Sequence, residues 1–264
     1  VAEPDAPRRA ARNLRTEHRL YRATVSGAEQ VSPHLRRITL VAPEFADLDP
    51  LGPDEFFGLL LPAAGRPLTL PCSGDDIRSA LAGLSEPDRP ALRWYTLRRH
   101  RPAESAVDID FVVHGDEGPG SRWALDARAG DVIGVRESGA PYLLPPDARS
   151  QVLIGDETAL PALARILESA PAVGTVALVE VPDLDDAVDL TDGPIRVARG
   201  GQAPGAALIP VLEDAALPDP IDYAWVCGEA DLVRRARRHL VEERGVPKER
   251  IMFSGYWRLG QARG

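Results

Sequence analysis

Gln151-Val152-Leu153-Ile154-Gly155-Asp156-Glu157-Thr158-Ala159-Leu160-Pro161 is the stretch at which the rhythm of the chain changes. Gln151 to Ile154 is an apolar strand that stops at a glycine, and Leu160, Leu163, Ile166 and Leu167 then recur at helical spacing. The same alternation continues downstream. Strands are predicted at Thr175 to Val181, Ile195 to Ala198, Tyr223 to Cys227 and Ile251 to Ser254, with helices near Gly205 to Ala215 and Asp231 to Arg244. Strands alternating with helices predict a parallel, Rossmann-like sheet.

Upstream the pattern is different. Short strands broken by Pro, Gly and Asp are predicted at Leu20 to Val25, Leu35 to Val41, Phe56 to Leu61, Arg93 to Arg98, Val107 to His114 and Val132 to Arg136. Val107, Ile109 and Phe111 alternate with Asp108 and Asp110, a period that suits an antiparallel barrel. The polar segment Pro71 to Pro90 reads as an insertion, and Ser121 to Ala127 as a short helix whose N-terminus suits a phosphate. The fold class is therefore an antiparallel six-stranded barrel followed by a Rossmann-like parallel-sheet domain. The predicted boundaries are a flexible tail over 1–18, the barrel over 19–146 and the α/β domain over 147–264.

Bulk properties narrow the function. The chain has 264 residues, 44% of them hydrophobic, which is enough for two domains. A formal net charge of -9 argues against a nucleic-acid or membrane-surface role. Cys72 and Cys227 are too few for a disulfide scaffold, a cysteine zinc site or a four-cysteine cluster. Redox chemistry would then need an organic cofactor. No stretch has the apolar length of a membrane span and no secretory signal is convincing, so a cytoplasmic location is expected.

Arg93-Trp94-Tyr95-Thr96-Leu97-Arg98, with Gly118-Pro119-Gly120-Ser121-Arg122-Trp123-Ala124, reads as a flavin site. Arg93 and the glycine-flanked Ser121 suit a pyrophosphate, since a guanidinium gives bidentate bonds and glycine lets backbone amides come close. In a strand, residues 93 and 95 share a face, so a cation and a phenol can address one ligand. Thr96 offers a hydroxyl for a ring nitrogen. His114 ends an apolar strand and no other histidine stands at ligand spacing, so no metal site is expected. Asp156 and Glu157 open a helix, where Thr158 caps well but two carboxylates make a poor pyrophosphate cradle. Cys227-Gly228-Glu229 stands at a strand end before a helix, the position at which a nicotinamide docks, although a small buried cysteine and a glycine turn explain it equally.

Five motifs in order, Arg93 to Arg98, Asp110-Phe111-Val112-Val113-His114-Gly115, Gly118 to Ala124, Gly155 to Pro161 and Gly255-Tyr256-Trp257-Arg258, resemble the signatures of siderophore-interacting proteins of the ferredoxin reductase superfamily. The resemblance runs from about residue 20 to 260. It implies an FAD-binding barrel in which Arg93, Gly120 and Ser121 meet the pyrophosphate, Tyr95 and Thr96 the isoalloxazine, and Asp110 and His114 lie along the flavin. It adds Asp156 and Thr158 as hydrogen-bonding partners, Tyr256 and Trp257 as aromatic contacts, and Cys227, Gly228 and Glu229 as nicotinamide candidates. The activity implied is reduction of ferric siderophores to release Fe(II), with FAD carrying the chemistry, no side-chain catalyst, and NADPH, NADH or a ferredoxin as donor.

A basic pocket is expected for an anionic chelate, and Lys248 is the one lysine among 31 basic residues. Arg98 and Arg258 are the first candidates to line it, with Arg66 and Arg250 behind them. An electron-transfer reductase serving a ferredoxin or oxygenase, or a non-catalytic siderophore- or flavin-binding protein, would share these features. Nothing in the sequence demands more than a monomer.

Overall fold

The computed structural model describes residues 13–113, 118–169, 173–188, 190 and 193–261. They divide into two compact units, one spanning Asn13–Ala140 and the other beginning at Pro141. In the first, strands β1 (Asn13–Leu14), β2 (Leu20–Ser32), β3 (Leu35–Val41) and β4 (Phe56–Leu61) precede helix α1 (Ile77–Ala82). Strands β5 (Ala91–Arg101) and β6 (Ala106–Val112), helix α2 (Pro119–Asp126) and strand β7 (Val132–Ala140) follow. The order β7-β2-β3-β6-β5-β4, with β4 pairing back to β7, closes a six-stranded antiparallel barrel, and β1 pairs with Gly139 and Ala140 at the end of β7.

Alternation along the strands fills the barrel. Val107, Ile109 and Phe111 of β6 are fully buried together with Ile38, Leu40, Phe57, Leu59 and Leu97. The alternate residues Asp108 and Asp110 are buried too, because neighbouring strands supply cations. Asp110 stands opposite Arg37 of β3 and receives Nε at 2.7 Å and Nη2 at 2.8 Å. Asp108 receives two bonds from Arg101 and one from Thr39. The insertion between β4 and β5 forms α1 and buries Leu68, Ile77 and Leu81 against Leu60 as a small second core.

Two boundaries differ from the sequence expectation. Residues 13–18 are part of the barrel unit: β1 pairs with β7, Arg15 bonds Glu55 at 3.2 Å, and the His18 ring bonds the Glu137 carbonyl at 2.9 Å. The division between units falls at Ala140, ahead of Pro146, because β7 continues four residues past Arg136 to pair with β4 and β1.

In the second unit, strands β8 (Ser150–Asp156), β9 (Gly174–Val181), β10 (Ile195–Ala198), β11 (Tyr223–Glu229) and β12 (Ile251–Trp257) form a wholly parallel sheet in the order β10-β9-β8-β11-β12. Helices α3 (Leu160–Ser169), α4 (Leu208–Asp214) and α5 (Ala230–Glu242) alternate with them. Separate apolar clusters occupy the two faces of the sheet. The order in which strands are added reverses between β8 and β11, so the switch point of the sheet is the pair of loops after Asp156 and Glu229.

Breaking a buried ion pair strands the remaining charge, at a cost of about 3–5 kcal/mol. Asp110→Ala is therefore expected to lower unfolding stability by about that amount, read from the denaturant midpoint. An unchanged midpoint would contradict the structural role of the pair.

Candidate functional site

In the barrel unit, Arg93, Tyr95 and Leu97 share the inner face of β5. Leu97 lies in the core, and the Tyr95 ring packs on Phe111 at 4.0 Å between centroids. Trp123 of α2 continues the aromatic run, 5.5 Å from Phe111. The Tyr95 hydroxyl abuts Gly120, where any Cβ would collide with it, so only glycine fits at this point of α2. Gly118 caps α2 without a side-chain bond and Pro119 follows, leaving the amides of the first turn without a side-chain acceptor from the cap.

Arg93 is half-buried, and its guanidinium donates to its neighbour's carbonyl, Leu92, at 2.7 Å. Among the described residues it has no carboxylate partner. Burial lowers its pKa from the ordinary value, opposed by Tyr95 nearby. Burial raises the Tyr95 pKa, with Arg93 opposing, so the phenol stays neutral. A partly desolvated cation and a neutral phenol on one strand face, with the phenol packed on Gly120 of α2, form a set of donors for one anionic, aromatic ligand. The residues present fit FAD.

Other expected residues of this unit sit differently. Thr96 is buried on the opposite face from Tyr95, in register with Phe56, because successive strand residues point to opposite sides. Ser121 donates its hydroxyl to the Val112 carbonyl at 3.1 Å, which ties α2 to β6. Asp110 has both oxygens on Arg37, so the structure gives it a role in the barrel wall where the sequence suggested a cofactor contact. His114 lies outside the described residues. Arg98 is 2% exposed, which withdraws it from the substrate candidates as the chain stands here. Arg66 is exposed and paired with Asp88 at 3.3 Å.

The second unit gathers carboxylates at its switch point. Asp156 is fully buried at the end of β8. Oδ1 accepts from the Thr158 amide at 2.9 Å and the Thr158 hydroxyl at 2.5 Å, while Oδ2 accepts from the Glu229 amide at 2.6 Å and the Trp257 indole at 2.9 Å. Burial, with Glu157 adding to it, pushes the Asp156 carboxyl up to about 7 against the pull of these donors. Gly228 makes the packing possible: its φ is +137° and a Cβ there would lie 2.7 Å from the Asp156 carboxyl carbon. Glu157 is buried against Arg199, which also bonds Glu180 at 3.1 Å.

Glu229 accepts from the amides of Asp231 and Leu232 as the N-cap of α5 and from the Leu259 amide at 3.2 Å. Cys227 is fully buried in the core. The Glu229 carboxylate is thus engaged by the fold, while Cys227 stands in the core. The bonds of Asp156 to the Glu229 amide and the Trp257 indole, and Arg199 itself, escaped the sequence reading because these partners lie far off along the chain.

Beside this cluster, a cavity of about 510 Å³ is lined by Ala203, Pro204, Ala230, Arg234, Arg258 and Leu259, with Glu229 and Asp231. Arg258 is exposed there. Arg250 is paired with Asp147 through both nitrogens, at 3.0 and 2.9 Å. Among the described residues no helix is long and apolar enough to cross a membrane.

Two family models match the chain. Residues 24–142 match the siderophore-interacting FAD-binding domain and residues 148–260 the siderophore-interacting protein domain. The chain is 34% identical over 181 residues to ferric vibriobactin reductase ViuB of Vibrio cholerae, a match covering 66% of each. It is similar to the crystal structure of the siderophore-interacting protein SipS from Aeromonas hydrophila, with TM-score 0.73, 33% identity and 93% of each chain covered. A siderophore utilization protein from T. fusca gives TM-score 0.77 and 30% identity over 96% of this chain and 98% of that one.

The raised carboxyl of Asp156 has a definite pH consequence. Between its ordinary 3.8 and about 7 the folded chain holds a proton that the unfolded chain lacks. This group's contribution to stability is then fullest below about pH 4 and lost as pH rises through about 7. Denaturation curves should show wild type losing stability relative to Asp156→Asn across that window; parallel curves would contradict the assignment.

Proposed function

The chain belongs to the siderophore-interacting protein family, and from that membership we propose that it is an FAD-dependent reductase that frees iron from ferric siderophores as Fe(II). The observation that carries this reading is Arg93: a half-buried guanidinium without a carboxylate partner among the described residues, on the same strand face as Tyr95, whose hydroxyl abuts Gly120 of α2. In this reading Arg93 neutralises the FAD pyrophosphate, the amides of Gly120 and Ser121 add donors, and Tyr95 packs along the ring system. Gly120 keeps helix and phenol close enough for one ligand to meet both. Bound flavin supplies the ability to take electrons as a pair and pass them on singly.

Siderophores hold Fe(III) through hard oxygen donors, and Fe(II) is bound far less firmly by the same set. Reduction therefore releases the metal without a protein acid or nucleophile. Of the four arginines considered for the chelate, Arg258 is preferred, since Arg66 and Arg250 are held in ion pairs and Arg98 is buried. A pyridine nucleotide is the donor favoured here, because the cavity of about 510 Å³ opens beside the switch point of the parallel sheet. Each hydride equivalent would then release two Fe(II).

An anaerobic titration tests the proposal. The FAD-loaded protein is expected to bleach with NADPH or NADH, to recover its oxidised spectrum on addition of a ferric siderophore, and to yield about two Fe(II) per nicotinamide. Bleaching only by reduced ferredoxin would replace the donor. Recovery only with an iron-sulfur protein would point to an electron-transfer reductase, and no bleaching by any donor to a flavin or siderophore carrier.

A further inference from the structure

Trp257 ends β12, and the chain then passes through Arg258 to Leu259. Both turns of this passage are tied to carboxylates at the switch point. The Trp257 indole donates to Asp156 Oδ2 at 2.9 Å, and the Leu259 amide donates to Glu229 Oε1 at 3.2 Å. These two anchors are joined to each other, because the Glu229 amide donates to the same Oδ2 of Asp156 at 2.6 Å. Thr158 meanwhile fixes the other oxygen with two bonds, which leaves the carboxyl group no freedom to rotate.

An indole N–H has one direction in which to donate, so its partner's position sets the ring plane. Trp257 is only half-buried, and apolar packing alone does not define its rotamer. A fully buried carboxylate held at four points does. The backbone is shaped for this arrangement: Gly228 adopts a φ of +137° directly beneath the carboxyl group, and any Cβ there would displace it.

We propose that Asp156 is a positioning residue that sets the orientation of the Trp257 indole and, through Glu229, the path of the chain to Leu259. Asp156 therefore acts through Trp257 and contacts no ligand itself. The effect of this on turnover rests on the function proposed above; the orientation does not.

The chain's four tryptophans make a test possible without flavin. In ¹⁵N-labelled protein, with the indole signals assigned by Trp→Phe variants, the Trp257 Nε1–H is expected to exchange with solvent at least tenfold more slowly than a free indole. In Asp156→Ala that protection should vanish and the signal shift, while Trp225, buried in the same unit, and Trp94 and Trp123 of the barrel keep their wild-type positions. An unprotected Trp257 indole in wild type overturns the proposal, and so does an unchanged Trp257 signal in Asp156→Ala with Trp225 native. If Asp156→Ala fails to fold, Asp156→Asn serves: one acceptor oxygen remains, and a Trp257 signal identical to wild type counts against the proposal.

A second arm separates this from the functional reading. With FAD bound, Asp156→Asn and Trp257→Phe should lower kcat by similar factors, leave KM for the ferric chelate within about twofold, and combine without adding. Loss of indole protection with unaltered kcat would uphold the positioning and count against the aromatic contact with the flavin that the family resemblance implies for Trp257.

Discussion

A charge removed from water must find an opposite charge or a full set of donors, and this constraint organises both units of the protein. The barrel wall buries Asp108 and Asp110 because Arg101, Thr39 and Arg37 meet them across the strands. The parallel sheet buries Glu157 and Glu180 on Arg199, and Asp156 on two amides, a hydroxyl and an indole. Arg93 departs from the pattern. Its guanidinium is partly desolvated, has no carboxylate partner among the described residues and shares a strand face with Tyr95, which is why the barrel reads as prepared for an anionic cofactor.

The carboxylates also constrain the second unit. A parallel sheet commonly binds a dinucleotide at its switch point, with phosphate on helix-terminal amides. Here Asp156 accepts the Thr158 and Glu229 amides, and the Glu229 carboxylate accepts those of Asp231 and Leu232. The amides that would cradle a phosphate already have an acceptor. Any nucleotide donor is therefore left the neighbouring cavity by Arg234 and Arg258.

Much of this was legible in the amino-acid pattern. Strands Leu35–Val41, Phe56–Leu61 and Ile195–Ala198 stand at the predicted residues, since their apolar runs are bounded by turn formers. The shared face of Arg93 and Tyr95 followed from strand periodicity, whereas Thr96, expected to meet the same ring as Tyr95, stands on the opposite face. Strand β2 extends to Ser32 through the polar Ser26 to Gln30, where register shifts near Gly27 hide the alternation. The role of Asp110 was not legible because Arg37 lies 73 residues away, and the same holds for Asp156 and Trp257, 101 residues apart. Local pattern carries no record of such pairings.

The central claim is that Arg93 is the cation that holds the flavin pyrophosphate, and the most direct measurement is the FAD dissociation constant of variants along β5. A charge-assisted bond contributes about 1.5–3 kcal/mol net, or roughly 10- to 150-fold in affinity. Arg93→Ala should weaken FAD binding by a factor in that range at unchanged fold, whereas Arg101→Ala, on the same strand but paired with Asp108 and Glu104, should leave it within about twofold. Equal affinities for wild type and Arg93→Ala, or a wild-type protein that binds no FAD, would contradict the account.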